Sequence, residues 1–263
     1  MENKIGLTVL GSGSGGNCTL VHSGDDAVLI DAGFSLKETR HRIESAGLSE
    51  LKIHGILVTH EHTDHIKGVR VCANYFHAPI FATMGCSMEI RAIDSRIGQI
   101  VRICPGGKFD LGCFTITPFS IPHDARDPVG YIVSCNDVKI GVATDIGYAS
   151  SGVEYELRNC HSMLLESNHD IQLLAASSRP WNVKQRILSR IGHLCNDAAS
   201  ELLKKIVGPS TKNIVLGHIS HECNSSDIAL RCGQCALHEI GRDDINLEIA
   251  KQDEPLSTIW CEL

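Results

Sequence analysis

The sequence predicts an α/β fold, and three observations carry the prediction. Short apolar runs recur along the chain, and several end on a histidine or an acid: His60, Asp145, Glu166 and His218, with His123 close by. Capped helical patterns lie between those runs. At 263 residues the chain has room for one large domain with a full core, and no linker, repeat or low-complexity tract divides residues 1–263. Histidines and acids at several strand ends are what a site along one sheet edge needs.

The elements follow in order. Leu7–Leu10 reads as a strand, and Gly11-Ser12-Gly13-Ser14-Gly15-Gly16-Asn17-Cys18 follows it. This loop lacks the Lys-Ser/Thr ending of a P-loop and runs into a strand, Thr19–His22, so a nucleotide fingerprint fails on context. It is either a strand-to-strand turn or a loop at the mouth of a site, where backbone amides, Ser14 and Asn17 face a ligand. Ala27–Gly33 is a strand ending in a polar turn. Ser35–Ala46 is a helix capped by Ser35 and ended by Gly47. Ile53–Val58 is a strand, Cys72–Phe76 a helix, Pro79–Ala82 a strand and Met84–Ile93 a helix. Ile100–Ile103 and Phe114–Thr117 are short β segments around the Gly106-Gly107 turn. Tyr131–Ser134 turns at Asn136-Asp137 into Lys139–Asp145. Met163–Glu166 is a strand leading to Ser167-Asn168-His169-Asp170. Helices are expected at Val183–Ile191, at Asp197–Ile206 with Asn196 or Asp197 as its cap, and at Ile228–Ile240; Asn213–Gly217 is the last strong strand. Leu247–Ala250 and Ser257–Trp260 supply late strand material.

Composition bounds the function classes. Hydrophobic residues make up 43% and charged residues 21% of the chain, an ordinary globular balance. The formal charge is −7, from 24 Lys and Arg against 31 Asp and Glu, so a nucleic-acid binder must gather its basic residues locally. Met1–Leu7 lacks the features of a signal peptide, and no run of about 18 apolar residues occurs. The expectation is a cytoplasmic protein with no membrane partner. The 12 cysteines, scattered from Cys18 to Cys261, show no disulfide framework and suit a reducing compartment as small buried hydrophobes.

The densest chemistry lies in Thr59-His60-Glu61-His62-Thr63-Asp64-His65, directly after the strand run Ile56-Leu57-Val58. Packing gives no reason to crowd metal-avid side chains there, whereas a short turn can aim them at one point. Zinc and related divalent ions take neutral imidazole and carboxylate ligands. Glu61 points away from its neighbours, either as their partner or into solvent, and Asp31 is a candidate orienting group.

Together with His123, Asp145 and His218, the pattern His60-x-His62-x-Asp64-His65 resembles the metallo-β-lactamase superfamily. The resemblance runs from Asp31 to His218 and is most specific to its YycJ/WalJ-type branch. Its carriers are Gly13–Cys18, Thr59–Gly68, His123–Tyr131, Ala143–Tyr148, Glu166–Asp170 and Gly192–Asn196. It implies a four-layer αββα sandwich with a two-metal site along one sheet edge. Carried over residue by residue, His60, His62 and His123 hold the first ion; Asp64, His65 and His218 hold the second; Asp145 bridges them. The ions are Zn, Mn or Fe, since nitrogen and oxygen ligands suit all three. An anionic bridge offsets the repulsion between two close cations, and a shared hydroxide is the expected nucleophile. Gly192-His193, with the helix, strand and His218 that follow, is similar to the tRNA-processing nucleases of the superfamily. That similarity assigns His193, beside Asp64, to catalysis, protonating the leaving oxygen or contacting phosphate.

Substrate choice rests on Arg179–Arg190, where four basic residues accompany Trp181. Lys184 and Arg186 can meet phosphates and Trp181 can stack on a base; Arg186 and Arg190 are i, i+4 on the expected helix. Asn168 and His169 follow a strand end and line the same region. The resulting expectation is a dinuclear-metal phosphodiesterase acting on nucleic acid, a DNA exonuclease of 5′ to 3′ polarity by resemblance. Rival readings are a hydrolase of the same fold acting on RNA, an ester, a thioester, a lactam or a cyclic phosphodiester, and a non-catalytic regulator retaining the fold. No insertion is long enough for a nucleic-acid-clamping domain, so grip would come from a homodimer, the 171–190 segment or a partner. Cys232-Gly233-Gln234-Cys235, near Cys223, His221 and His238, is weak evidence for a zinc or redox site. Ile228, Cys232 and Cys235 instead suit a buried helical stripe.

Overall fold

The computed structural model describes residues 4–262. Met1, Glu2 and Asn3, part of the segment read against a signal peptide, lie outside the described residues. Strands β1 (Ile5–Gly11), β2 (Cys18–Ser23), β3 (Asp26–Ile30), β4 (Lys52–Leu57), β5 (Ile80–Thr83) and β6 (Ile100–Ile103) form one sheet. Strands β7 (Phe109–Leu111), β8 (Phe114–Ser120), β9 (Val129–Cys135), β10 (Val138–Ala143), β11 (Ser162–Glu166), β12 (Asn213–Gly217) and β13 (Asn246–Ile249) form a second. A last strand, β14 (Ile259–Cys261), returns to the first sheet beside β1. The orders are β14-β1-β2-β3-β4-β5-β6 and β13-β12-β11-β10-β9-β8-β7. Each sheet is antiparallel at its start and parallel from β3 or β10 onward.

Three hydrophobic cores make the layers. Between the sheets, Leu7, Val9, Val28 and Leu57 meet Phe114, Tyr131, Val142 and Val215. On the outer face of the first sheet, Leu20, Leu29, Ile56 and Ile80 pack under α1 (Leu36–Ser45), α3 (Val69–Phe76) and α4 (Met84–Ile93), with the short α2 (Thr63–Ile66) ahead of α3. On the outer face of the second, Met163, Leu165 and Leu216 pack under α5 (Ser151–Leu157), α8 (Asn196–Ile206) and α9 (Ser226–Glu239). Two short helices, α6 (Ile171–Ala176) and α7 (Trp181–Ile187), share a small cluster of Leu174, Val183, Ile187 and Cys223. Central strands covered on both faces are buried throughout, which is why they read as unbroken apolar runs. The four-layer αββα sandwich is the architecture expected from the sequence.

Three expectations need correction. The helix read as Val183–Ile191 spans Trp181–Ile187, because Pro180 starts it early and the chain leaves the helix at Leu188 so that the Ile191 carbonyl can accept from Asp124 N at 3.1 Å. The cap of α8 is Cys195, not Asn196 or Asp197; the Asn196 amide is drawn inward to Ser167 Oγ (2.7 Å) and Asn224 (2.9 Å). On α9 the buried stripe is Ala229, Gly233, Ala236 and Leu237, so Cys235 is exposed and Cys232 half-buried. The short turn read after β4 contains the single helical turn α2, and strand β7 and helices α5 and α6 were not anticipated. The two helices are two turns or less and are defined by side-chain caps, Ser150 on Val153 N and Asp170 on Gln172 N and Leu173 N, more than by periodicity.

Candidate metal centre

The histidine stretch leaves β4 and turns into α2, and the neighbouring loops hold it there by backbone bonds. Asn17 N donates to Asp64 O at 2.7 Å and Ala32 N to His65 O at 2.8 Å. So close an approach requires glycine: a Cβ on Gly33 would overlap the Asp64 carbonyl, and one on Gly68 the Phe34 carbonyl. The glycine loop after β1 therefore serves as a brace. Asn17 is buried; its Oδ1 accepts from Gly13 N (2.8 Å), and its Nδ2 reaches Gly13 O (3.1 Å), His65 Nε2 (3.0 Å) and Asp64 Oδ2 (3.3 Å). Ser14 stands exposed at the loop tip.

Around this turn gather imidazoles from both sheets. Ring centroids lie 4.5 Å apart for His60 and His62, 4.0 Å for His60 and His65, and 5.0 Å for His60 and His123. His193 bridges the remaining gap, 5.1 Å from both His123 and His218. Four groups of side chains have ligand atoms within 4.8 Å of one another and can hold a cation: His60, His62 and His123; Asp64, His65 and His218; His60, His65 and Asp145; and Asp145, Glu166, His193 and His218. The third group takes one histidine from each of the first two and joins them through Asp145.

The outer hydrogen bonds determine which ring nitrogen faces inward. Carboxylate and carbonyl oxygens only accept, so a nitrogen against one must carry the proton. His65 Nδ1 lies 2.8 Å from Asp31 Oδ2, His123 Nδ1 3.0 Å from Gly192 O, and His218 Nδ1 2.8 Å from Glu166 Oε1. Thr59 Oγ1 donates to Asp31 Oδ2 at 2.8 Å, which leaves its oxygen to accept from His60 Nδ1 at 3.0 Å. In all four rings Nε2 is turned inward, the arrangement by which outer partners orient metal-binding histidines, and in His65 that nitrogen is met at 3.0 Å by Asn17 Nδ2. Burial, reinforced by His65, pushes the His60 pKa well down and keeps that ring neutral. Burial opposes ionisation of Asp145, but His218 and His65 hold its carboxyl well below the usual range. His60 Nε2 is buried without a hydrogen-bond partner among the described residues, and Asp145 Oδ2, buried likewise, has only His65 Nε2 near it at 3.2 Å, outside good hydrogen-bond geometry. A lone pair and a carboxylate oxygen left that way are costly, and a cation between them satisfies both. The residues fit divalent metal.

Strained backbone marks the same places. Asp31, Asp145 and His218, each one or two residues past a strand end, have φ of 61°, 59° and 54°. Left-handed conformations in residues other than glycine cost roughly 1 kcal/mol or more each and persist where surrounding bonds over-determine them.

Glu166, read in the sequence as an acid at a strand end and as part of the stretches that carry the resemblance, is the hub of the second-sheet side. Fully buried, it accepts from His193 Nδ1 (2.9 Å), His218 Nδ1, Ile146 N (2.6 Å) and Leu194 N (3.1 Å). Burial acts to raise its pKa, but the His193 and His218 rings hold it below the usual carboxylate range. His193 is half-buried, and with Nδ1 held by Glu166 its Nε2 has no hydrogen-bond partner among the described residues. Asn168 is buried with Nδ2 on His218 O at 2.8 Å. His169 is 1% exposed with neither ring nitrogen bonded among the described residues, and burial lowers its pKa to about 4. Glu61 Oε1 accepts from Arg126 N at 2.8 Å, tying the loop after His123 to the histidine stretch.

The basic segment beside the site is largely engaged within the protein. Arg186 Nε pairs with Asp124, whose Oδ1 lies 3.3 Å from His123 Nε2. Lys184 Nζ donates to Ala175 O and Ser177 O, both at 2.7 Å, closing the end of α6. Arg179 pairs with Glu222 at 2.9 Å. These contacts depend on the tertiary fold; Arg186 uses only its Nε in them and its side chain stays 58% exposed. Trp181 is 68% exposed. None of the cation-holding groups includes Cys232 or Cys235.

Residues 26–219 match the sequence model of the β-lactamase superfamily domain. The chain is 34% identical over 240 residues to exodeoxyribonuclease YycJ of Bacillus anthracis, covering 89% of this chain and 90% of that protein. It is 34% identical over 235 residues to exodeoxyribonuclease WalJ of Streptococcus pneumoniae, covering 86% and 87%. The crystal structure of the metallo-β-lactamase fold protein YhfI from Bacillus subtilis superposes with a TM-score of 0.72 at 16% identity, covering 96% of this chain and 99% of that one, a likeness of fold alone.

Proposed function

The chain belongs to the β-lactamase superfamily, on the branch of the YycJ and WalJ proteins, and from that premise we propose that this metal-dependent hydrolase is a DNA exonuclease working from 5′ ends. One observation carries the reading: two groups of ligand-bearing side chains are joined through a single buried carboxylate, with the Glu166–His193 pair beside it. His60, His62 and His123 would hold one ion, Asp64, His65 and His218 the other, and Asp145 both. Bound divalent ions supply Lewis acidity toward a phosphoryl oxygen and lower the pKa of water toward neutrality.

The chain's own groups do the rest. In this reading Asp64, braced by Asn17 at 3.3 Å, takes a proton from the attacking water. His193 Nε2, with Nδ1 anchored on Glu166, delivers a proton to the departing sugar oxygen, and the Glu166 carboxylate stabilises the imidazolium that precedes delivery. Trp181, 68% exposed, is the substrate contact this reading retains from the sequence, whereas His169 is closed off from a DNA strand by its burial. Preference for DNA rests on the names of the relatives.

The test is cleavage of end-labelled duplex DNA with Mn²⁺ or Zn²⁺. We expect mononucleotide release from the 5′ label, loss of at least about a hundredfold in His60→Ala, and a loss of about 10²–10⁴-fold in His193→Ala, the usual span for a general acid. No cleavage by the wild type, or equal cleavage by His60→Ala, rejects the proposal.

A further inference from the structure

Of the basic residues beside the site, Arg190 is the one exposed guanidinium with no carboxylate or carbonyl partner among the described residues. Its charge is aimed instead at an aromatic face: Cζ lies 4.2 Å from the ring centroid of Tyr148, itself 36% exposed. Both halves of this pair are tied to the metal centre. Tyr148 is three residues beyond Asp145, within about 11 Å of it by chain length. Arg190 is followed directly by Ile191 and Gly192, whose carbonyls accept from Asp124 N (3.1 Å) and His123 Nδ1 (3.0 Å). The two loops meet so tightly that a Cβ on Gly147 would overlap the Arg190 carbonyl. The pair is therefore rigidly placed at the rim, with a fixed offset from the ligands.

We infer that Arg190, its guanidinium carbon over the Tyr148 ring, grips the backbone phosphate next to the one being cleaved, and that Tyr148 presents an edge to the adjoining base or sugar. An arginine pre-stacked on an aromatic ring keeps its in-plane N–H donors free, which suits a phosphate's oxygens. A polyanionic strand is the ligand that an unpaired cation at this rim selects in a chain of net charge −7. The inference rests on the nuclease reading for the identity of the strand, and Arg190 is the guanidinium of the 179–190 segment whose charge no carboxylate among the described residues offsets.

The experiment compares wild type, Arg190→Gln, Tyr148→Phe and Tyr148→Leu in three measurements: binding of a fluorescent single-stranded oligonucleotide, cleavage of di- and trinucleotides, and hydrolysis of bis(p-nitrophenyl) phosphate. Arg190→Gln is expected to weaken oligonucleotide binding about tenfold and to lower the slope of log K against log salt by about 0.7, the value of one phosphate on a single strand. Its KM deficit should be at least about fivefold larger on the trinucleotide, which carries a second phosphate, than on the dinucleotide or the small diester. Tyr148→Phe should retain binding and Tyr148→Leu lose part of it. An unchanged salt slope, or equal losses on all three substrates, overturns the inference. Wild-type binding that depends on Arg190 without any DNA cleavage would sink the nuclease reading and leave this contact standing.

Discussion

At the residue scale, Asp31 shows how the site is held. It is buried in the left-handed region and spends both oxygens on its neighbours: Oδ1 accepts from Thr59 N (2.8 Å), Oδ2 from Thr59 Oγ1 and His65 Nδ1 (both 2.8 Å). Burial raises its pKa, and His65 and Thr59 counter that. Asp31→Asn replaces a charged acceptor by an amide that can accept through one atom only. Metal affinity is expected to fall about 10–100-fold, as for other outer partners of ligating histidines. Competition with a chelator measures it, and wild-type affinity in the variant would exclude an orienting role. His22 offers a pH-dependent counterpart far from the ligands. It is buried between Thr8 (3.3 Å) and the Trp260 ring (4.9 Å), and burial lowers its pKa from 6.5 to about 4. The unfolded chain therefore binds the proton more readily, so the stability His22 contributes is present above pH 6.5 and is lost as pH falls toward 4. The loss is at most about 3 kcal/mol. Urea midpoints at pH 7 and pH 5 check it: His22→Gln should show a smaller drop than wild type.

At the scale of elements, the site depends on loops that touch through glycine. The turn from β3 into α1 presses Gly33 against Asp64, and Gly33 N donates to Asn17 O at 2.9 Å. Gly33→Ala must push the β3–α1 turn and the histidine stretch apart. A cost of about 1–3 kcal/mol is expected, the range for overpacking, together with reduced metal content after dialysis against a limiting ion. Full metal content with only the stability loss would show that the stretch tolerates the shift. Strand runs such as Ile100–Ile103 and Asn213–Gly217, and the helix Met84–Ile93, were legible to the residue because each is apolar and bounded by turn or cap residues. His60 to His65 was legible as a ligand set because its spacing is local. Glu166 was not readable as a hub, since its partners come from Ile146, His193, Leu194 and His218 and only the fold assembles them. The same holds for Arg186 and Arg190: similar as charges in sequence, they are separated by whether Asp124 or Tyr148 lies opposite.

At the scale of the molecule, the candidate centre lies across the seam between the two sheets. His60, His62, Asp64 and His65 follow β4 of the first sheet, while His123, Asp145 and His218 follow strands of the second and Glu166 ends one. The protein bonds across that seam near the centre include Tyr131 Oη to Val58 O at 2.7 Å and Val129 N to Thr59 O at 3.0 Å. Ions held by both sets would add links between the sheets, and because the unfolded chain cannot assemble seven ligands in one place, they bind the native state preferentially. Saturation at about 100 times Kd would add about 2.7 kcal/mol per ion. For a domain of this size each kcal/mol raises Tm by about 2–4 °C, so removing one such ion should lower Tm by about 5–10 °C. Calorimetry after chelation and after re-addition of Mn²⁺ or Zn²⁺ measures the shift. His60→Ala should blunt it, while Trp181→Ala should leave it intact. A Tm that ignores chelation in protein shown to carry metal would place the ions outside the seam.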